Sequence, residues 1–367
     1  MKRPRSFGLD RFSGLYLWAL FIIVFTIWVP SLFPTKSTLD SVAAGQAVTG
    51  IIALAVLVPL VAGVYDLSIG ATANFTAILV INLQVKDHLS IPVAIGLGIL
   101  AGAIIGAFNG FLVVKLRVNS FIATLGVGSI VSALLTMISS DVQPLPPSSP
   151  AWSNLTQWSI GGFEVVFFYL LIIAMILWWF LEHTPIGRYM YAIGSNAEAA
   201  RLSGVSVSSY IWLSLMVSGG LAGVAGVAFG SQLGPSLSFG PGLLLPGFAA
   251  AFLGSTQLKP GKFNVWGTVL AIYVLATGVE GFQYVTGVQW LSDMFNGVAL
   301  VSAVAFAVWR QQVSIKRREL EMRPGPQDQA VEMVVAKVEE NLPVSDTGPS
   351  ASLGAEDELG EPQGFSI

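Results

Sequence analysis

The sequence predicts an all-α, polytopic integral membrane protein with about ten transmembrane helices, some of them broken or re-entrant. Three observations carry that expectation. Of 367 residues, 54% are hydrophobic and only 11% are charged, against roughly a quarter charged in a typical soluble domain. So little charge cannot clothe a surface that faces water, so much of it must face lipid. Apolar stretches near the roughly 20 residues needed to span the hydrocarbon core follow one another with short breaks. The lysines and arginines, finally, fall almost wholly on alternate breaks.

Residues 1–14 carry Lys2, Arg3 and Arg5 ahead of an apolar run from Leu15. That is the charge pattern of a signal peptide, but there is no small-x-small cleavage site, and Trp28, Pro30 and Pro34 follow. An uncleaved first helix over 15–34 is therefore expected. The next spans read at 42–64, 67–84, 91–114, 120–139 and 164–182, and, after a polar segment, at 210–231, 242–258, 263–280 and 291–310. The third and eighth are short and rich in Gly, Pro or polar residues, which membrane depth tolerates only where the backbone is buried in protein or lines a cavity. Gly98, Gly102, Gly106 and Gly110 in the fourth span, and Gly219, Gly223, Gly226 and Gly230 in the seventh, form small-residue faces. Such faces allow close helix approach, and packing inside one chain is favoured over a dimer interface. Residues 311–367 form an acidic tail, since eleven of the 21 Asp and Glu follow Trp309. Dominated by Pro, Gly, Ser and acids, it is expected to be largely disordered.

With ten spans and a cytoplasmic N-terminus, 16 of the 18 Lys and Arg lie inside, and only Lys36 and Lys86 lie outside. This follows the positive-inside rule. Losing one span would invert every later loop, so the split also supports the count. Both termini are then cytoplasmic. The segment 140–163, with Trp152 and Trp158 and no positive charge, is external.

The cytoplasmic loop 183–209 narrows the function. Its second half reads as a short helix: Ser195 or Asn196 can cap it, and Glu198 sits in the first turn, where the helix dipole favours an acid. Ala199, Ala200, Arg201 and Leu202 continue it, and Gly204 is a suitable stop. Such a helix suits docking on a partner, and an amphipathic connector lying on the membrane would use the same residues. The run Gly187-Arg188-Tyr-Met-Tyr-Ala-Ile-Gly-Ser-Asn-Ala-Glu-Ala-Ala-Arg-Leu-Ser-Gly204 closely resembles the coupling segment of ribose/xylose/arabinose-type ABC sugar permeases. Further matches occur in that family's order: Asp66-Leu-Ser-Ile-Gly70, Phe108-Asn109-Gly110, Phe121-Ile-Ala-Thr-Leu-Gly126, Phe252-Leu-Gly-Ser255, Val265-Trp-Gly-Thr268 and Asn296-Gly297. Together they cover roughly residues 45–310.

The resemblance implies an ABC importer permease fold in the bacterial cytoplasmic (inner) membrane, translocating a monosaccharide delivered by an extracytoplasmic solute-binding protein. It further implies a second permease chain, identical or different, and two cytoplasmic ATP-binding-cassette subunits that hold ATP and Mg. The residues it assigns to ATPase coupling are Arg188, Asn196, Glu198, Ala199, Ala200, Arg201, Leu202 and Gly204. No phosphate loop occurs in this chain, because Gly261-Lys262 is followed by Phe263 and lacks the upstream spacing. No catalytic residue, metal, cofactor or nucleic-acid partner is therefore expected of it. Four positions depart from the family pattern: Gly63-Val64-Tyr65-Asp66 replaces Gly-Gly-Ile-Asp, Ser120 replaces a proline, and Gly254-Ser255 and Pro260-Gly261 replace Gly-Gly pairs. They leave the fold assignment intact and the identity of the sugar open.

Ionisable groups within spans are costly and read first as functional. Asp66, beside Ser68 at a Gly-flanked break with Asn74 further on, either lines the translocation path or caps the third helix. The N-cap preference of Asp favours the cap. Asn109, beside the glycine stripe, faces the path or, as favoured, bonds between helices. Gln232, Ser236 and Phe239 lie in a Gly/Pro-rich break near the outer side, which is either a plain loop or a sugar entrance built of amide, hydroxyl and aromatic groups.

Other classes fit less well. An ABC permease for nucleosides or amino acids is the near alternative. An ion-coupled secondary transporter should display internal repeats and coupling-ion groups, and no convincing repeat is seen. A membrane enzyme would need convergent His, Asp or Glu within the spans, yet both histidines fall in loops. The absence of cysteine excludes disulfides and thiolate chemistry.

Overall fold

The computed structural model describes residues 12–288 and 290–322. The N-terminal cations through Arg11 and the tail from Arg323, with the disorder expected of it, lie outside the described residues, as do the side chains from Arg310 on. The chain divides into two units, Met1–Val313 and Ser314–Ile367, and the first contains every element that follows except the end of α14.

The elements run α1 (Ser13–Trp28), α2 (Lys36–Gly45), α3 (Ala47–Val61), α4 (Ile69–Val85), α5 (Ile91–Val114), α6 (Ser120–Ser139), α7 (Pro150–Gln157), β1 (Ser159–Ile160), β2 (Phe163–Glu164), α8 (Val165–His183), α9 (Pro185–Ser195), α10 (Ala197–Leu202), α11 (Val207–Gln232), α12 (Phe239–Gly254), α13 (Val265–Thr286) and α14 (Trp290–Met322). Among the described residues six stretches are long and apolar enough to cross a membrane: α2 with α3, α5, α6, α8, α11 and α13. Shorter apolar helices are α1, α4, α12 and Trp290–Phe306 of α14. These ten coincide with the ten expected spans, and the two weak ones, the third and eighth, are α4 and α12. The second begins earlier than expected, because the Lys36–Asp40 ion pair at 3.0 Å and the Thr35 cap start α2 ahead of the apolar run.

All 15 residues of α3 are buried. A helix apolar on every face is one packed on every side, and α11, α12, α13 and α8 surround it. By contrast α5 has two faces. Ala94, Gly98, Gly102, Gly106 and Gly110 are buried, while Val93, Leu97, Leu100, Ile104, Phe108 and Phe111 are exposed at intervals of three or four residues, as a lipid-facing stripe requires. The two glycine stripes meet each other inside the chain: a Cβ on Gly102 would strike the Gly219 carbonyl, one on Gly219 the Gly102 carbonyl, and one on Gly106 the Leu215 carbonyl. Backbones thus pack directly, the close approach that small residues permit between membrane helices.

Candidate functional site

Two places answer to the residues singled out by sequence. The first is a polar node where the chain passes from α3 to α4. Gly63, at φ +78°, takes a left-handed turn that favours glycine, and brings Asp66 beneath α5 and α11. One carboxylate oxygen of Asp66, Oδ1, accepts from the Ser68 amide (3.0 Å) and hydroxyl (2.6 Å), and Oδ2 accepts from the Ser218 hydroxyl of α11 (3.0 Å). The Asn109 amide on α5 donates to Ser68 Oγ at 2.8 Å and reaches Asp66 Oδ1 at 3.5 Å. From α6, Thr124 Oγ1 accepts the Leu67 amide (3.0 Å) and Ser120 Oγ the Tyr65 amide (3.2 Å). Asp66, Ser68, Asn109, Thr124 and Ser218 are all buried. Three motifs separate in sequence, Asp66–Gly70, Phe108–Gly110 and Phe121–Gly126, therefore converge on one turn, with Ser68 and Asn109 on the carboxylate and Thr124 on the Leu67 amide. Asp66 lies two residues ahead of Ser68, which itself holds the N-cap position of α4 without a side-chain capping bond. Sequence reasoning missed Ser218; its only signal was a hydroxyl followed by Gly219-Gly220 in an apolar span.

The other path candidates are not part of this node. Asn74, six residues past Ser68 and so about 9 Å along α4, donates to the Leu237 carbonyl (2.5 Å) and accepts from the Gly240 amide (3.1 Å). It ties down the break between α11 and α12. Phe239 stacks on Phe229 with centroids 3.5 Å apart and planes 4° off parallel. Ser236 accepts weakly from the Ser238 amide at 3.4 Å. Gln232 donates to the Ala44 carbonyl (3.1 Å) and Glu164 (3.2 Å). Beside it, the unforeseen helix α7 clasps the end of α11 through Trp152 to the Gly230 carbonyl (3.1 Å), Thr156 with Ser231 (2.8 Å) and Gln157 to the Gln232 carbonyl (2.7 Å).

The second place is the α9–α10 segment. Thr184 caps α9 by accepting the Gly187 amide, with Pro185 in its first turn, a position where a missing N–H costs nothing. Gly187, Met190 and Ile193 form its buried face, and Gly194 lies so close to the Val61 carbonyl that no Cβ fits between them. Tyr191 donates to the Phe263 carbonyl (2.7 Å). Burial, and then the Glu182 carboxylate, hold its phenol above the ordinary tyrosine range, so it remains a neutral donor. Glu182 pairs with Lys259 at 2.5 Å, fixing the 255–264 turn alongside. On either side of that turn the Gly254 and Gly267 backbones of α12 and α13 touch, and Asn264 caps α13 by accepting the Gly267 amide at 2.7 Å. The segment as a whole is thereby a firm base for α10.

On that base, Asn196 caps α10 by accepting the Ala199 amide at 3.0 Å, and Arg201 pairs with Glu198 at 2.7 Å. Gly204 ends the turn at φ +83°. Ala200 is the buried anchor, whereas Arg188, Asn196, Glu198, Ala199, Arg201, Leu202 and Gly204 are exposed. Leu202 is 80% exposed, an apolar side chain presented outward at the end of a capped helix.

Comparison with known proteins gives the chain its family. Residues 38–304 match the family described as branched-chain amino acid transport system / permease component. The chain is 27% identical over 307 residues to the D-allose transport system permease protein of Escherichia coli (strain K12), spanning 83% of this chain and 94% of that protein. It is 27% identical over 293 residues to the autoinducer 2 import system permease protein of Salmonella paratyphi B, spanning 78% and 82%. To the corresponding protein of Enterobacter sp. (strain 638) it is 30% identical over 289 residues, spanning 76% and 83%. No solved structure matches the chain at a significant level. The chain belongs to this permease-component family and is a multi-pass, all-α membrane protein.

Proposed function

From membership of the permease-component family, we propose that this chain carries a monosaccharide or a closely similar polar solute across the bacterial cytoplasmic membrane, in an importer driven by ATP. The observation that carries the reading is α10, a capped helix with Leu202 outward on a buried base. It has the form of a plug for a groove on a cytoplasmic ATPase. Two ATP-binding-cassette subunits would hold ATP and Mg, a second permease chain would complete the passage, and an extracytoplasmic binding protein would deliver the solute. The chain itself then contributes no catalytic residue, metal or cofactor. ATP shifts such a machine only if it binds one conformation more tightly than the other.

The carbohydrate substrate is supported by the coupling segment and by the relatives named for D-allose and autoinducer 2. The family's description favours a second reading, a branched-chain amino acid. Uptake by cells expressing the whole system separates them: labelled monosaccharide entering, with leucine failing to compete, supports the sugar, and the reverse result overturns it.

In the path, the buried Asp66, Ser68 and Asn109 would hold the helices that shape the passage. Asn74, Gln232, Ser236 and Phe239 would shape its outer mouth. The orientation is testable because the chain has no native cysteine. Single cysteines at Leu202 and Pro260, both exposed, should react only with reagents that reach the cytoplasm. One at Leu145, 79% exposed, should react from outside. Labelling of Leu202→Cys from outside sinks the topology.

A further inference from the structure

Where α5 ends and α11 begins, the surface carries an open cavity of about 410 Å³ lined by Phe111, Val114, Lys115, Ser208, Ser209 and Trp212. Its walls divide by chemistry. Phe111 and Trp212 are 46% and 43% exposed and, with Val114, form the apolar half. The Trp212 indole is fixed in place, donating to the Ala107 carbonyl at 2.8 Å, and lies where Gly110 leaves no room for a side chain. Lys115, Ser208 and Ser209 form the polar half. Among the described residues no carboxylate pairs with Lys115, and neither serine hydroxyl has a hydrogen-bond partner. No Asp or Glu occurs in residues 111–120 or 203–212. The serines also occupy the first turn of the 26-residue α11, whose dipole favours an anion there.

We propose that this cavity binds an anionic phospholipid, with its phosphate on Lys115, Ser208 and Ser209 and its acyl chain along Phe111, Val114 and Trp212. The shared chemistry is a phosphate anion; the apolar half selects the lipid over the free ion. Basic pockets between helices at the cytoplasmic boundary are where such headgroups are held. A lysine at a helix C-terminus complements the dipole without any ligand, but that role does not account for the apolar half of the cavity, where Phe111 and Trp212 lie beside the cation. The inference rests on the orientation proposed above only in naming the cytoplasmic leaflet.

The test uses the full-length chain, purified in detergent, with binding read from the concentration dependence of its thermal stabilisation. Added phosphatidylglycerol should stabilise it at lower concentration than phosphatidylcholine does. Lys115→Ala should weaken phosphatidylglycerol binding about fivefold, the equivalent of about 1 kcal/mol for one lysine. Ser208→Ala with Ser209→Ala should weaken it further, Lys115→Arg should preserve it, and Lys262→Ala, at an exposed cation elsewhere, should leave it unchanged. Three results overturn the proposal. The first is equal response to both lipids with Lys115→Ala silent. In the second, inorganic phosphate alone reproduces the stabilisation, which makes the cavity a small-anion site. In the third, Lys115→Ala abolishes co-purification of an ATPase while lipid binding is unchanged, which makes it a protein-docking face. Because lipid binding is read without partners, failure of the uptake reading leaves it standing, and the converse holds.

Discussion

The Asp66 node and α10 are both short polar stretches in an apolar protein, and they spend their hydrogen bonds in opposite ways. In the node, donors from α4, α5 and α11 converge on one enclosed carboxylate. In α10 the side-chain bonds are local, Asn196 to Ala199 and Arg201 to Glu198, and the outward face is left free. Long-range bonds in a low-dielectric interior hold helices in a fixed arrangement, and a partly satisfied network there is costly. Local bonds preserve a shape for something outside the chain to meet. The contrast separates residues that build the bundle from residues that address a partner.

The contrast can be broken most forcefully at Asp66. Asp66→Ala strands the Ser68 and Ser218 donors in the interior, at about 3 kcal/mol or more for the orphaned groups together. Thermal unfolding in detergent should show a large loss, with little folded protein recovered from membranes. Next comes Gly219→Val, which drives a branched side chain into the Gly102 and Gly106 backbones. Overpacking of this kind costs about 1–3 kcal/mol, and a midpoint unchanged from the parent would refute the direct contact between α5 and α11. Smaller still, Asn196→Ala removes one helix cap, about 1 kcal/mol local to α10, visible as faster amide exchange over 197–202 with the global midpoint held. The smallest effect on stability belongs to charge reversal at Glu198 and Arg201. This exposed pair is worth under about 0.5 kcal/mol, yet the variants should lose ATPase co-purification or uncouple hydrolysis from uptake. Normal uptake with both replaced would erase the distinction between the two regions.

Much of the fold was legible because hydropathy writes itself in runs of about twenty residues, so all ten apolar helices could be placed from the chain alone. Short elements were not. The eight-residue α7 has too few apolar positions to stand out, and its hold on α11 through Trp152, Thr156 and Gln157 is wholly tertiary. The end of α9 was likewise hidden, since Gly187, Met190 and Ile193 betray a buried face only once there is something to bury it against. In contrast α10 was readable to within one residue, its cap lying at Ser195 or Asn196, because capping is a property of four consecutive positions. The node lay between these cases. Asp66, Ser68 and Asn109 each stood out as polar groups at membrane depth, but their meeting, and the part of Ser218, depended on which helices touch. Sequence spacing does not encode that.

One contact described for α9 has a mechanical consequence. Gly194 sits flush against the Val61 carbonyl with no side chain between them, so the joint has almost no compliance. Packed protein is stiff, and interfaces of this kind switch between arrangements rather than deform continuously. A displacement delivered to α10 should therefore arrive at the end of α3 nearly undiminished, as along a pushrod. Since α3 is enclosed on every side, it cannot move alone, and its neighbours must turn with it.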